Sequence, residues 1–544
     1  MSGRPSSDAR WRPVLALAIV ALSTGVLAKL TPEEGWQVGG LTWRWTLPSP
    51  WQAWIEPEET APIVPRWKPE DVEDLLARYD DELSQAEALL DSTAATQPVA
   101  VEDTASAPGP DSAATRPPRT APVSAPSPTA PPSPASSWVP GALRIRLPES
   151  NPDLLHALWN RLQQREDVCI LHYGDSQIEG DRISGTLRGR WQERWGGFGP
   201  GIQPPIPLVQ SFALRQSSQG PWQRHTRFGR RDSTDRDENY GLLASYADAP
   251  EAGESPLCLT WGREARSPAS FGMWTGLELW HDSVFTECVI SLGEQAVDTL
   301  RAGTLPGVLT LPGSSMMPGD PELELCFSAA PPRLFAVHPE GAGLQWHSVA
   351  MRGSSGTLFR KLARRPFAQQ LDRLDPDLVV LQFGGNSVPY CQDSASARRY
   401  AGWLKRQIQL FQSLQPEAAI LVIGPSDMAE KSGVNWTSYP MLSPIRDALL
   451  EATLDAGAAY WDLLEVMGGL GSMPAWVAAT PALAGPDHVH FTPRGARKVG
   501  ELLDRALWAE FRQWEQGPSN APLQGLQPRS AQPLNLQTGV QHAP

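Results

Sequence analysis

The sequence predicts a doubly wound α/β sandwich whose first and second strands are separated by a β-rich insert. Three observations predict it. Five short apolar runs read as buried parallel strands, helical patterns lie between them, and an insert of 140 residues, 205–344, lies between the first run and the second. A simple β-α-β unit needs roughly 30.

The predicted strands cover 168–173, 346–351, 378–383, 419–423 and 458–463. The runs are too short for helices and rich in Val, Ile and Leu. Helical spacing predicts helices over 183–195, 358–374, 395–414, 443–456 and 493–514. Within the insert, 205–344, the runs 277–280, 284–292, 307–311 and 322–327 alternate with short period between Gly and Pro turns. That pattern suits a β-sandwich or jelly roll. Trp222, Trp261, Trp274 and Trp280 of the insert are weighed between core packing and sugar stacking, with core packing favoured.

The segments upstream read differently. Residues 14–28 form an uninterrupted run of apolar and small residues, preceded by Arg4, Arg10 and Arg12 and followed by Lys29. This fits an export signal within residues 1–30. As a helix the run spans roughly 22 Å, short of a bilayer core of roughly 30 Å. A cleaved signal peptide and a single uncleaved membrane anchor both remain open, and either places the rest of the chain outside the cytoplasm, in a periplasmic setting. Residues 31–92 follow as a membrane-proximal segment, in which 69–92 carries apolar residues at helical spacing among acidic ones. Residues 93–140 form a linker: ten of the 27 residues from 108 to 134 are proline, a composition that favours extended polyproline II over a packed core. The tail, 517–544, has a disordered composition.

A net charge of −14 excludes a nucleic-acid backbone as the main partner, since such binding rests on Lys and Arg neutralising phosphates. The five cysteines show no C-x-x-C pair, so no zinc site or disulfide framework is indicated, and an odd count leaves at least one thiol unpaired within the chain. Oligomeric state is not legible.

The first predicted strand stops at Gly174-Asp175-Ser176-Gln177, which puts a serine at the carboxyl end of a buried strand, where open α/β sheets do chemistry. Alone, the string is also an ordinary turn. It is followed in order by Gly353-Ser-Ser-Gly356-Thr, Gly384-Gly-Asn386 and Asp487-His488-Val-His490. These four blocks resemble the SGNH, or GDSL-like, hydrolase family, over about 167–507. The resemblance implies a flavodoxin-like, three-layer fold with strand order 2-1-3-4-5, split here into 141–204 and 345–516. The β-rich, carbohydrate-binding-module-like insert, the string from Gly174 to Asp181 and the glycine-rich string from Gly196 to Gly201 look like those of bacterial peptidoglycan O-acetylesterases. Gln177 stands where those enzymes often have His.

Ester hydrolysis at neutral pH needs a nucleophile stronger than water, and a serine becomes one when a neutral imidazole takes its proton. Ser176 is the candidate nucleophile, His490 the preferred base and Asp487 the group that orients it. His488 is the alternative base. For the oxyanion hole the candidates are the Ser176 backbone N–H, by analogy with the family, the Gly356 N–H and the Asn386 amide, with Gly353 the rival of Gly356. Asp175 is expected to brace the turn and His172 to be structural. Asp487, His488 and His490 lack a distant fourth ligand, so no metal and no cofactor is expected. Three functions follow. The leading one is an extracytoplasmic serine esterase removing O-acyl groups, acetyl first, from peptidoglycan or another polysaccharide. An O-acetyltransferase using the same serine and a non-catalytic glycan-binding protein are the alternatives.

Overall fold

A computed structural model describes residues 143–517, except 213, 230–236, 250–255, 265–274 and 314–321. It also describes a short antiparallel hairpin, Trp36–Val38 with Leu41–Trp43. The expected export signal, the helix at 69–92, the proline-rich linker, Trp274 and the tail beyond Gly517 lie outside the described residues. Among the described residues no helix is long and apolar enough to cross a membrane.

The central sheet contains β1 (Val168–Gly174), β2 (Leu344–Ala350), β3 (Leu378–Gln382), β4 (Ala419–Ile423) and β5 (Ala459–Trp461). Its order is β2-β1-β3-β4-β5, with every pairing parallel. Among the described residues the helices of eight residues or more are α1 (His156–Gln163), α2 (Arg182–Trp195), α3 (Arg364–Leu374), α4 (Ser394–Leu414), α5 (Leu442–Asp455) and α6 (Pro493–Glu515). Side chains alternate along β1, so its two faces feed two cores. Val168 and Ile170 pack with Trp159 of α1, Trp191 of α2 and Leu507 of α6. Leu171 and Tyr173 pack with Phe367 of α3, Ile408 of α4 and Leu449 of α5. Both faces of the sheet are therefore covered, which is why its strands are mostly apolar.

Helix ends are set locally. Asp393 caps α4 in a reciprocal box with Ser396. Thr492 caps α6 through the Gly495 N–H at 3.2 Å, with Pro493 in its first turn. Gly495 has no room for a Cβ against the Leu483 carbonyl.

Among the described residues the insert holds ten strands in two antiparallel five-stranded sheets. From Ser245–Asp248 to Leu334–Glu340 the pairing is nested: first strand with eighth, second with seventh, third with sixth, fourth with fifth. Leu259 and Leu325 of one sheet meet Leu279 and Val337 of the other in one hydrophobic cluster. Trp261 and Trp280 are buried, so both serve packing and neither offers a face to a sugar. Cys258 and Cys326, directly opposite on paired strands, form a disulfide. The sequence pattern held no sign of it, because only strand register brings these residues together. Cys169, Cys288 and Cys391 are free thiols.

Two features tie the insert to the hydrolase unit. Arg373 on α3 donates to Glu278 of the insert. The glycine-rich string 196–201 runs against β2, and a Cβ at Gly201 would lie 2.6 Å from the Trp346 carbonyl. Gly197 and Gly201 thus serve close packing of this string on β2, whereas Gly196 and Gly199 have nothing within 4 Å of an added Cβ.

Candidate active site

The strand order reverses at β1, whose neighbours lead to opposite sides of the sheet, and a crevice opens at the carboxyl ends there. Ser176 follows β1 and Asn386 follows β3. An open cleft of about 630 Å³ contains both, together with His490, Arg352 and Gly353.

The three candidate catalytic side chains form one hydrogen-bonded chain. Ser176 Oγ lies 2.8 Å from His490 Nε2, and His490 Nδ1 lies 2.7 Å from Asp487 Oδ2. The other oxygen of Asp487 accepts from the backbone N–H groups of Val489 and His490, each at 3.1 Å. Burial opposes ionisation of Asp487, but the hydrogen bonds from the His490 ring and from these N–H groups prevail and hold its pKa below the usual carboxylate range. An ionised Asp487 at Nδ1 fixes the proton there and leaves Nε2 as an acceptor facing Ser176. His488 is turned away. It stacks on Trp436, ring centroids 3.8 Å apart, with φ of 56°. Only His490 therefore reaches the nucleophile.

The nucleophile's turn is braced from several directions. Asp175 accepts from the Gln177 N–H at 2.9 Å and from Asn386 Nδ2 at 3.0 Å. Burial raises its pKa to about 6 against these bonds. Gln177 Nε2 donates to the Val489 carbonyl at 2.7 Å. Arg182 donates to the Ser176 carbonyl at 2.6 Å and to the Phe491 carbonyl at 3.1 Å, so it clamps the serine and histidine loops together. His172 is buried beneath the site, 3.2 Å from Gln382 Oε1, and burial lowers its pKa to about 3. It stays neutral and structural.

The oxyanion candidates separate by geometry. Gly353 lines the cleft, and among the described residues its N–H and that of Ser176 are not engaged. Gly356 does not line the cleft, and its N–H donates to Ser354 Oγ at 3.1 Å. Its φ of +72° and a Phe383 ring atom 2.5 Å from an ideal Cβ explain why glycine stands there. Asn386 does line the cleft, yet both its amide hydrogens are taken, by Asp175 and by the Ser354 carbonyl at 3.1 Å. To donate to an oxyanion it must release Ser354.

Sequence reasoning missed Ser354 and Arg182. Ser354 is one of several serines in a glycine-rich string, and Arg182 acts on backbone carbonyls, which leave no mark in the residue pattern.

Residues 313–498 match the model of the GDSL-like Lipase/Acylhydrolase family, a span that includes Asn386 and Asp487–His490 and begins after the Ser176 block. No curated protein matches the sequence. Among solved structures, a peptidoglycan O-acetylesterase is 21% identical, covering 68% of this chain and 99% of its own, with a TM-score of 0.55. A salicylyl-acyltransferase from a tetracycline biosynthetic pathway is 14% identical, covering 57% and 97%, with a TM-score of 0.24. A family two carbohydrate esterase from Cellvibrio japonicus is 9% identical, covering 56% and 99%, with a TM-score of 0.23. Residues 313–498 are thus similar to the GDSL-like acylhydrolase family, and in fold the chain resembles a peptidoglycan O-acetylesterase.

Proposed function

We propose that this protein is a serine esterase that removes O-acyl groups, acetyl first, from peptidoglycan or another polysaccharide outside the cytoplasm. The observation that carries the reading is the continuous Ser176–His490–Asp487 chain in an open cleft. Ser176 Oγ attacks the ester carbonyl while His490 Nε2 takes its proton. The tetrahedral oxyanion is held by the free N–H groups of Ser176 and Gly353, and by Asn386 once it turns from Ser354. Collapse expels the sugar hydroxyl, protonated by His490, and leaves an acyl-serine. Water, deprotonated by His490, attacks that ester and releases the acid.

The polysaccharide substrate is supported by the resemblance in fold to a peptidoglycan O-acetylesterase and by the insert. The nested pairing of that insert is the connectivity of a jelly roll, an architecture shared with lectin domains. The extracytoplasmic setting is supported by the apolar run at 14–28 with its preceding arginines and by the Cys258–Cys326 disulfide.

The test is acetate release by the purified full-length protein from O-acetylated peptidoglycan and from 4-nitrophenyl acetate, beside Ser176→Ala. Undiminished hydrolysis by Ser176→Ala would sink the nucleophile assignment. Transfer to chitooligosaccharide acceptors exceeding acetate release would favour an acetyltransferase.

A further inference from the structure

The cationic groups beside Ser176 exceed what the chemistry above uses. Arg352 follows β2 and lines the cleft with Ser176 and His490. Its Nε and Nη2 donate to Glu179 Oε2 at 3.0 and 2.5 Å. That carboxylate occupies one edge of the guanidinium. Among the described residues Nη1 has no partner, and the side chain is 54% exposed. Arg182, next to it, is bonded only to backbone carbonyls.

A third guanidinium comes from the insert. Arg224 lines a smaller cavity in the seam between insert and hydrolase unit, and Glu179 lines both this cavity and the catalytic cleft. Arg224 is held by the Pro207 carbonyl at 2.8 Å. After burial, the charge of Arg352 is a cause of the lowered pKa of both Arg182 and Arg224. Arg182 and Arg224 thus both feel the charge of Arg352.

The seam also presents two acceptors that have no donor among the described residues. Glu179 Oε1 and Gln216 Oε1 are buried without a hydrogen-bond partner, in residues 8% and 4% exposed. Both residues line the seam cavity, beside the apolar faces of Leu208 and Val209. Buried acceptors without donors are rare in folded proteins. A ligand with hydroxyl or amide N–H groups would supply those donors, and a carboxylate on the same ligand would meet the outer edge of Arg352.

We propose that Arg352 and Arg224 form a subsite for a carboxylate carried by the acylated glycan, with Glu179 and Gln216 accepting from its hydroxyl or amide groups. The insert would then select substrate by contributing side chains directly beside the reacting ester. This rests on the reading of the protein as a polysaccharide esterase and names its substrate class: an acidic O-acylated glycan. The carboxylate is that of a lactyl or peptide substituent, or that of a uronic acid.

The experiment compares acetate release from two O-acetylated polymers, peptidoglycan and a polyuronate, each before and after carbodiimide amidation of its carboxylates. The readout is the ratio of kcat/KM on the native polymer to that on its amidated form, for the full-length protein and for Arg352→Gln, Arg352→Lys and Arg224→Gln. A charge-assisted contact at a half-exposed site predicts a ratio on the order of tenfold in the unsubstituted protein. The ratio should fall toward one in Arg352→Gln and recover in part in Arg352→Lys. Whichever polymer shows it identifies the source of the carboxylate. Arg224→Gln makes the same comparison should Arg352→Gln lose its native circular dichroism. Equal ratios in the unsubstituted protein and Arg352→Gln overturn the subsite and leave the esterase reading standing. Cleavage of 4-nitrophenyl acetate with no release from either polymer overturns both.

Discussion

Gln177 Nε2 donates to the carbonyl of Val489 across 312 residues of sequence, at 2.7 Å, and so ties the residue after the nucleophile to the residue before the base. The Ser176–His490 distance depends on two loops from opposite ends of the hydrolase unit. Gln177 and Arg182 are the side chains that bridge them. Gln177→Ala should lower kcat on 4-nitrophenyl acetate by about 10- to 100-fold, because small displacements of reacting groups are expensive. KM should change little. A raised KM with unchanged kcat would assign Gln177 to substrate binding instead of positioning.

The two neighbouring histidines give opposite expectations. His490→Ala removes the group at 2.8 Å from Ser176 Oγ and should lower kcat/KM by about 10⁴-fold or more. His488→Ala removes a ring stacked on Trp436 and should cost about 1 kcal/mol of stability, with activity per folded molecule largely kept. Steady-state kinetics and thermal melts of the two variants check this pair.

Asp175 carries a pH signature. Its folded pKa is raised to about 6 by burial, above the ordinary 3.8 of an aspartate. Its protonation therefore favours the folded state. That contribution is fully present below the unfolded pKa and is lost as pH rises through about 6, a change of about 3 kcal/mol at most. Asp175→Asn does not titrate, so its Tm relative to the unsubstituted protein should rise between pH 4 and pH 7. Parallel Tm curves for the two proteins would contradict the assignment. Activity should fall in the variant, since an amide cannot accept from both Gln177 and Asn386 in the same way.

Gly356 is expected to matter for folding more than for catalysis. Gly356→Ala drives a methyl into Phe383 at a φ of +72° and should destabilise by about 2 to 3 kcal/mol. Gly353→Ala, with φ of +74° and nothing within 4 Å of an added Cβ, should cost about 1 kcal/mol. Chemical denaturation distinguishes them. A larger loss for Gly353→Ala would reverse the ordering.

The contrast between these two glycines marks the limit of what a sequence shows. Both sit in the same string with nearly the same backbone conformation, and only the Phe383 ring and the Ser354 hydroxyl separate their roles. The strands of the sheet were legible because burial on both faces makes them mostly apolar runs, and the Asp487–His490 pair because both residues lie within one local turn. The engagement of Asn386 with Asp175 and Ser354 was not, since it depends on residues 211 and 32 positions away. The same holds for Cys258 and Cys326, 68 apart, whose meeting is a matter of strand register. Helix α1 also escaped notice, with apolar positions too few to stand out as periodic.

The parallel pairing of β1 with β2 has a consequence for how the chain folds. Leu344 lies beside Val168, so two neighbouring strands are joined by the longest internal connection in the hydrolase unit. Closing so long a loop is entropically slow unless the intervening chain first becomes compact. The insert has its own hydrophobic cluster and disulfide, and backbone hydrogen bonds between Gln203 and Val337, at 2.9 Å, hold its two ends close. It then acts as a folding clamp for the sheet that bears Ser176. In pulsed hydrogen exchange during refolding, amides of Leu257–Arg263 and Leu323–Phe327 should become protected before those of β2; the reverse order would show that the sheet assembles without this help.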